Sequence, residues 1–183
     1  MTNSHRKEYP FAGYAGFGGG AGALSYKSVA SKTYRDDVFS TYLYKGNASA
    51  QYTEHQIVNG IDNSKHGGLV WIKNRTYAQS NTLLDTERVN GSGQTAELYS
   101  NNTDAQAGPY AGYNITAFNN NGFKLEGNGT GTNRDVDDYV AWNFRKAKGF
   151  FDIVTYTGTG SAQSLAHGLG SVPGCIMIKR LDA

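Results

Sequence analysis

Hydrophobic and polar positions alternate in short runs along most of this chain, and the period of two predicts β-strands. From Asp37 onward the strongest runs are Val38-Phe-Ser-Thr-Tyr-Leu-Tyr44, Leu69-Val-Trp-Ile-Lys73, Tyr139-Val-Ala-Trp-Asn-Phe144, Phe151-Asp-Ile-Val-Thr-Tyr156 and Cys175-Ile-Met-Ile-Lys179. Each is β-branched or aromatic and is bounded by Gly, Asn, Ser or Asp. Shorter candidates are Gln56-Ile-Val58, Thr82-Leu-Leu84, Glu97-Leu-Tyr99, Ile115-Thr-Ala-Phe118 and Phe123-Lys-Leu125. Between them lie residues that tolerate positive φ, as in Asn59-Gly60, Asn90-Gly-Ser-Gly93 and Asn119-Asn-Asn-Gly122. Many short strands so spaced predict an all-β chain folded as an antiparallel β-sandwich of jelly-roll or lectin-like type.

The first 36 residues differ in kind. Phe11-Ala-Gly-Tyr-Ala-Gly-Phe-Gly-Gly-Gly-Ala-Gly-Ala23 is dense in glycine, has spaced aromatics, and follows neither the helical nor the strand period. Such a segment buries too little to fold alone, so residues 1–36 are expected to form a flexible Gly/aromatic amino-terminal arm. Docked on a partner, Phe11, Tyr14 and Phe17 each fill a pocket while the glycines let the backbone lie close.

An internal repeat organises the remainder. Phe39-Ser-Thr-Tyr-Leu-Tyr44, Gly46, Ala50-Gln51, Asn59-Gly60-Ile61 and Leu69-Val-Trp-Ile-Lys73 are echoed by Phe151-Asp-Ile-Val-Thr-Tyr156, Gly158, Ala162-Gln163, His167-Gly168-Leu169 and Cys175-Ile-Met-Ile-Lys179. The reading is an arm over 1–36 and a sandwich module over 37–147. Residues 148–183 then either begin a second copy of the module or supply strands that complete the first, or a neighbour. Truncation of a longer molecule is the favoured expectation.

Composition narrows the function classes. The 183 residues include 24 Gly, 13 Tyr, 8 Phe and one Cys, and only 17% are charged. Hydrophobic content of 38% is too high for a disordered chain. No apolar run reaches the roughly 20 residues that span a bilayer, and the basic start lacks an apolar stretch behind it, so neither membrane insertion nor a signal peptide is expected. Five cations against one acid make residues 1–35 basic, and the larger remainder is slightly acidic. A nucleic-acid partner, which needs clustered basic surface, is therefore not expected.

Candidate chemistry is sparse, and the chain reads as a non-enzyme without metal or cofactor. Cys175 sits in an apolar run and is expected to be a buried, inert thiol. His167 stands where the first copy has Asn59, which marks it as a turn residue. Asp85 with Glu87, and Asp135 with Asp137, are the best places for Ca²⁺ or a glycosidase pair. Arg88 and Arg134 beside them favour ion pairing instead. Tyr110-Ala-Gly-Tyr113-Asn114 offers aromatic faces and amide hydrogen bonds of the kind that hold sugars, so Tyr110, Tyr113 and Asn114 are candidate glycan or partner contacts. Trp71 and Trp142, inside strand patterns, are assigned to the core.

Several sequence words carry a family resemblance. Asp36-Asp-Val-Phe-Ser-Thr-Tyr-Leu-Tyr44, Gly67-Gly-Leu-Val-Trp-Ile-Lys-Asn-Arg75, Leu84-Asp-Thr-Glu-Arg88, Thr116-Ala-Phe-Asn-Asn-Asn-Gly-Phe123, Tyr139-Val-Ala-Trp-Asn-Phe-Arg-Lys146, Gly149-Phe-Phe-Asp-Ile-Val-Thr-Tyr-Thr-Gly158 and His167-Gly-Leu-Gly-Ser-Val-Pro-Gly174 resemble modules in tail fibre and related tail proteins of marine bacteriophages, cyanophages among them. The resemblance covers residues 36–183. Cys175 departs from it, standing where an apolar residue such as Met is more usual. It implies a virion structural protein of the tail, made in the host bacterial cytoplasm and acting in host attachment. It further implies docking on other tail proteins through the arm, with Phe11, Tyr14 and Phe17 as anchors, and homo-oligomeric assembly, a trimer favoured. Two alternatives stand beside it: a carbohydrate-binding module for host surface glycans, and a capsid decoration or head-fibre protein.

Overall fold

Alternation of inward apolar and outward polar residues builds two antiparallel sheets that share one core. A computed structural model describes residues 33–182. In chain order the elements are α1 (Arg35–Val38), β1 (Phe39–Lys45), β2 (Glu54–Val58), α2 (Asn63–His66), β3 (Gly68–Asn74), β4 (Thr82–Val89), β5 (Thr95–Tyr99), β6 (Asn114–Asn119), β7 (Gly122–Glu126) and β8 (Asp138–Arg145). The larger sheet runs β1-β8-β3-β4-β5 and the smaller β2-β7-β6. The molecule is thus an all-β sandwich. Its first strand lies on its last and its second on its seventh, the nesting of a jelly roll, while β4 and β5 extend the larger sheet as a meander.

The core sits between the sheets. Tyr44, Val70, Ile72, Leu84, Tyr139 and Ala141 from the larger sheet meet Ile57, Ile115, Phe123 and Leu125 from the smaller. Strand β8 is its axis, because it pairs with both β1 and β3. Tyr139 lies opposite Tyr44 and Asn74, and Ala141 lies between Tyr42 and Ile72. The Tyr44 and Tyr139 rings stack 5.1 Å apart.

The connection from β7 to β8 crosses from one sheet to the other, and its backbone polar groups need partners away from either ladder. Side chains from several strands supply them. The Tyr44 hydroxyl donates to the Thr132 carbonyl at 2.6 Å. The Tyr139 hydroxyl donates to the Thr130 carbonyl (3.1 Å) and accepts from the Arg134 N–H (2.9 Å). Asn74 Nδ2 donates to the Thr130 carbonyl and to Asp137 Oδ2, both at 2.9 Å. Arg134 closes the knot on the buried Asp137 carboxylate through Nε (2.8 Å) and Nη2 (3.0 Å), with its guanidinium over the Tyr77 ring. Gly46 lets the β1–β2 loop lie against this crossing, since a Cβ there would run into the Arg134 carbonyl.

Three sequence expectations are corrected. Residues 151–156 and 175–179 are not strands: only Phe151 makes a bridge, to Ala147, and residues 152–182 carry no strand. β-propensity alone does not hold a strand, whose N–H and C=O groups need a neighbour, and among the described residues no strand pairs with these segments. Cys175 is for the same reason exposed rather than buried. Trp71 and Trp142 are half-buried and pack edge to face at 5.8 Å, paired across β3 and β8 on the face turned away from Val70, Ile72 and Ala141. The anchor residues Phe11, Tyr14 and Phe17 lie outside the described residues. No helix among the described residues is long and apolar enough to cross a membrane.

Two stability effects follow from the knot. Gly46→Ala is expected to cost about 1–3 kcal/mol in denaturant unfolding, the usual range for a clash that backbone cannot relieve. The Arg134 guanidinium, with help from Asn74 and Tyr139, holds the Asp137 carboxyl below its ordinary range. A carboxyl depressed in the folded state stabilises fully above the ordinary pKa of about 4, and that stabilisation is lost as pH falls through the folded value. The melting temperature should therefore drop steeply below about pH 4, and in Asp137→Asn the drop should be shallower, from a lower starting point at pH 7.

Candidate functional site

The crossing loop also makes one wall of a cleft. Gly129, Thr130 and Gly131 face Glu97 and Tyr99 of β5, and the 100–113 loop closes the other side, enclosing about 310 Å³. All three candidate contact residues line this cleft: Tyr110, Tyr113 and Asn114. The sequence motif therefore converges in space on a single concavity. Asp104, Gln79, Ser80 and Thr82 complete a lining that is mainly polar.

Local chemistry explains how the loop is held. Glu97 and Ala107 exchange both backbone hydrogen bonds, at 2.9 and 3.0 Å, which pins the loop to the β5 edge. At its far end Gly112, with φ +69°, packs so closely on Tyr52 that a Cβ would enter the ring. Gln51 Nε2 donates to the Ala111 carbonyl at 2.8 Å. Asn114 itself has φ +63°, a conformation Asn tolerates better than most residues. Its side chain is buried and doubly bonded, donating from Nδ2 to Glu97 Oε2 (3.1 Å) and accepting from Thr132 Oγ1 (3.3 Å). Asn114 is thus a brace of the cleft floor, and Tyr110, half exposed, presents the free aromatic face.

Tyr99 is the titratable group most perturbed in the cleft. Burial, then the hydrogen bond and charge of Glu97, push its phenol well above the ordinary value of 10, so it stays neutral across physiological pH. A cleft with a neutral phenol, carboxylates and amides offers donors and acceptors for hydroxyl groups, and Tyr110 offers an apolar face for a ring's C–H surface. Glu97, Tyr99 and Asp104 were not singled out from the sequence. For Glu97 and Tyr99 the only signal was the short strand candidate Glu97-Leu-Tyr99, which placed residues on faces without saying what those faces met, and Asp104 left no signal.

The carboxylate pairs behave otherwise than a metal or glycosidase site would. Asp85 is buried against Arg88, with Nη2 at 2.6 Å and Nε at 2.8 Å, and its other oxygen accepts the backbone N–H groups of Glu87 and Arg88. That local turn breaks the β4–β5 register between Leu84 and Val89. Glu87 pairs instead with Lys146 at 2.8 Å. Asp137 is held by Arg134, and between it and Asp135 the exposed Val136 takes φ +63°, so strand alternation is lost there too. Among the described residues no group of three or more His, Cys, Asp or Glu side chains is arranged to hold a metal ion. His167 acts as a turn residue: its Nδ1 accepts the Leu169 N–H at 3.3 Å.

The chain belongs to the family described as Domain of unknown function (DUF7483), which matches residues 35–183. No curated protein and no solved structure shows significant similarity to it.

Proposed function

We propose that this chain is a structural protein of a bacteriophage virion, the amino-terminal base of a tail fibre or of a fibre-bearing tail component, acting in host attachment by protein–protein binding. The observation that carries this reading is the run of exposed apolar side chains outside the sandwich core. Val154, Tyr156, Leu165, Val172, Ile176, Met177, Ile178 and Leu181 all face solvent, concentrated in the last 30 residues. Singly exposed apolar residues are ordinary, whereas so many in one stretch belong to a surface that another protein covers. The resemblance of residues 36–183 to phage tail modules supplies the setting, and homo-oligomerisation, with a trimer favoured, supplies one such cover. The arm, through Phe11, Tyr14 and Phe17, is the attachment to the particle. Deleting residues 1–30 is expected to leave a folded module that no longer enters particles; virions that still carry the shortened protein would overturn the anchor assignment.

A second reading rests on the cleft. Tyr110, Tyr113 and the polar groups around them suit a carbohydrate of the host surface, which makes a glycan-binding module the alternative. A glycan array probed with residues 37–183, with and without chelator, separates the two. The structural reading expects no binding anywhere on the array. Binding that Tyr110→Ala removes, with the melting temperature unchanged, would transfer the assignment to glycan recognition.

A further inference from the structure

Several carboxylates that the fold covers sit directly on a cation. Asp85 has Arg88 at 2.6 Å, Asp137 has Arg134 at 2.8 Å, Glu126 has Lys124 at 2.9 Å and Asp152 has Lys146 at 3.2 Å. Glu97, half-buried on β5, instead meets neutral groups: Asn114 Nδ2 donates to its Oε2 at 3.1 Å, and the Tyr99 hydroxyl donates to the same carboxylate. Asp104, on the 100–113 loop, accepts from Asn102 Nδ2 at 2.8 Å. Lys179 reaches this loop but gives its Nζ to the Asn102 carbonyl. Among the described residues that line the cleft there is no Lys, Arg or His. A carboxylate drawn partly out of water without an opposite charge is costly, and a ligand that brings the opposite charge relieves that cost.

The same cleft gathers three tyrosines. Tyr99, Tyr110 and Tyr113 line it together with Glu97 and Asp104. The charges of Glu97, Tyr110 and Asp104 all bear on the Tyr99 phenol, so these groups converge on one space. The Tyr113 ring is held against Gly127, where a Cβ would lie 2.7 Å from its Cδ1. Tyrosine faces attract cations through the ring quadrupole, carboxylates attract them by charge, and a half-enclosed site screens both attractions less than open surface does.

We propose that the cleft takes an ammonium group carried on a hydroxylated ring, that is, a sugar with a free amino group. This rests on the glycan reading of the cleft and names the class of sugar within it. An ammonium has three N–H donors and a full charge to set against Glu97 and Asp104. N-acylation removes the charge, and a sugar acid brings a third carboxylate to a site that already holds two. The ring hydroxyls find Thr130 and Ser80, and the half-exposed Tyr110 gives a face for the ring's C–H surface. The enclosed 310 Å³ lies at the small end of ligand sites, which suits a terminal ring more than a long chain.

The test titrates the full chain, followed by its amide NMR shifts, with the methyl glycosides of glucosamine, N-acetylglucosamine, glucose and glucuronic acid, and separately with lysine. Methyl glucosaminide is expected to shift the amides of Tyr99, Tyr110 and Gly129 to Gly131 and to bind about tenfold or more tighter than methyl glucoside, a preference that weakens with added salt. Asp104→Asn, an exposed change, and Glu97→Gln, which keeps an acceptor for Asn114, are each expected to reduce that preference severalfold with an unchanged melting temperature. Equal binding of amino and neutral sugars, or preference for the acylated or acidic sugar, would overturn the proposal and leave the glycan reading standing. Binding of no sugar would overturn both. Lysine binding as tightly as methyl glucosaminide would overturn the sugar assignment and give the cleft to a protein cation, and a preference that survives both substitutions would remove Glu97 and Asp104 as its cause.

Discussion

Everything in this sandwich depends on where the chain crosses from β7 to β8, and the crossing is fixed by the buried carboxylate of Asp137. One oxygen of that side chain receives Asn74 from β3, and both receive Arg134 from the loop itself. Tyr44 and Tyr139 then hold the carbonyls of Thr132 and Thr130. Burying the Asp137 carboxylate costs desolvation that offsets much of its attraction to the partly exposed Arg134, but losing Arg134 would leave a buried charge stranded. Its contribution is therefore positional. It delivers β8 between β1 and β3, which sets the core, and it delivers Gly129 to Gly131 to the cleft, which shapes the one concavity where the candidate contact residues meet.

Most of the sandwich was legible because its strands are amphipathic by pairs. Phe39–Lys45, Gly68–Asn74 and Asp138–Arg145 carry enough aromatic and β-branched residues for period two to show, and even the five-residue Glu54–Val58 and Gly122–Glu126 left a trace. The single-turn helix Asn63–His66 left none, being too short for a 3.6 period; it is set by the Asp62 side chain accepting the Lys65 N–H. Trp71 and Trp142 were placed on the wrong face because alternation defines two faces without saying which is covered. The rest of the cleft was hidden for a different reason. Tyr110, Tyr113 and Asn114 are close in sequence, whereas Glu97 joins them through the Glu97–Ala107 bridge and the Asn114 side chain, non-local pairings that no local pattern encodes.

The failed strands are the most instructive difference. Similar sequence words, Leu69-Val-Trp-Ile-Lys73 and Cys175-Ile-Met-Ile-Lys179, give a buried Ile72 and an exposed Ile178, so residue type does not decide burial here; the presence of a neighbouring strand does. The area at stake is large, since burying one Ile or Val side chain is worth roughly 1.5–3 kcal/mol. A segment that leaves Ile176, Met177 and Ile178 in water forgoes that stabilisation.

The cleft and the carboxyl-terminal segment are also physically joined. The 100–113 loop that carries Asp104 and Tyr110 into the cleft receives Lys179 at Asn102 and gives the Gln106 N–H to Leu181. Glu97, from the cleft's opposite side, bonds the same loop at Ala107, one residue from Gln106. The backbone at 106–107 is thus shared between the β5 edge and the end of the carboxyl-terminal segment. Coupling between sites needs a physical element that both engage, and this loop is such an element.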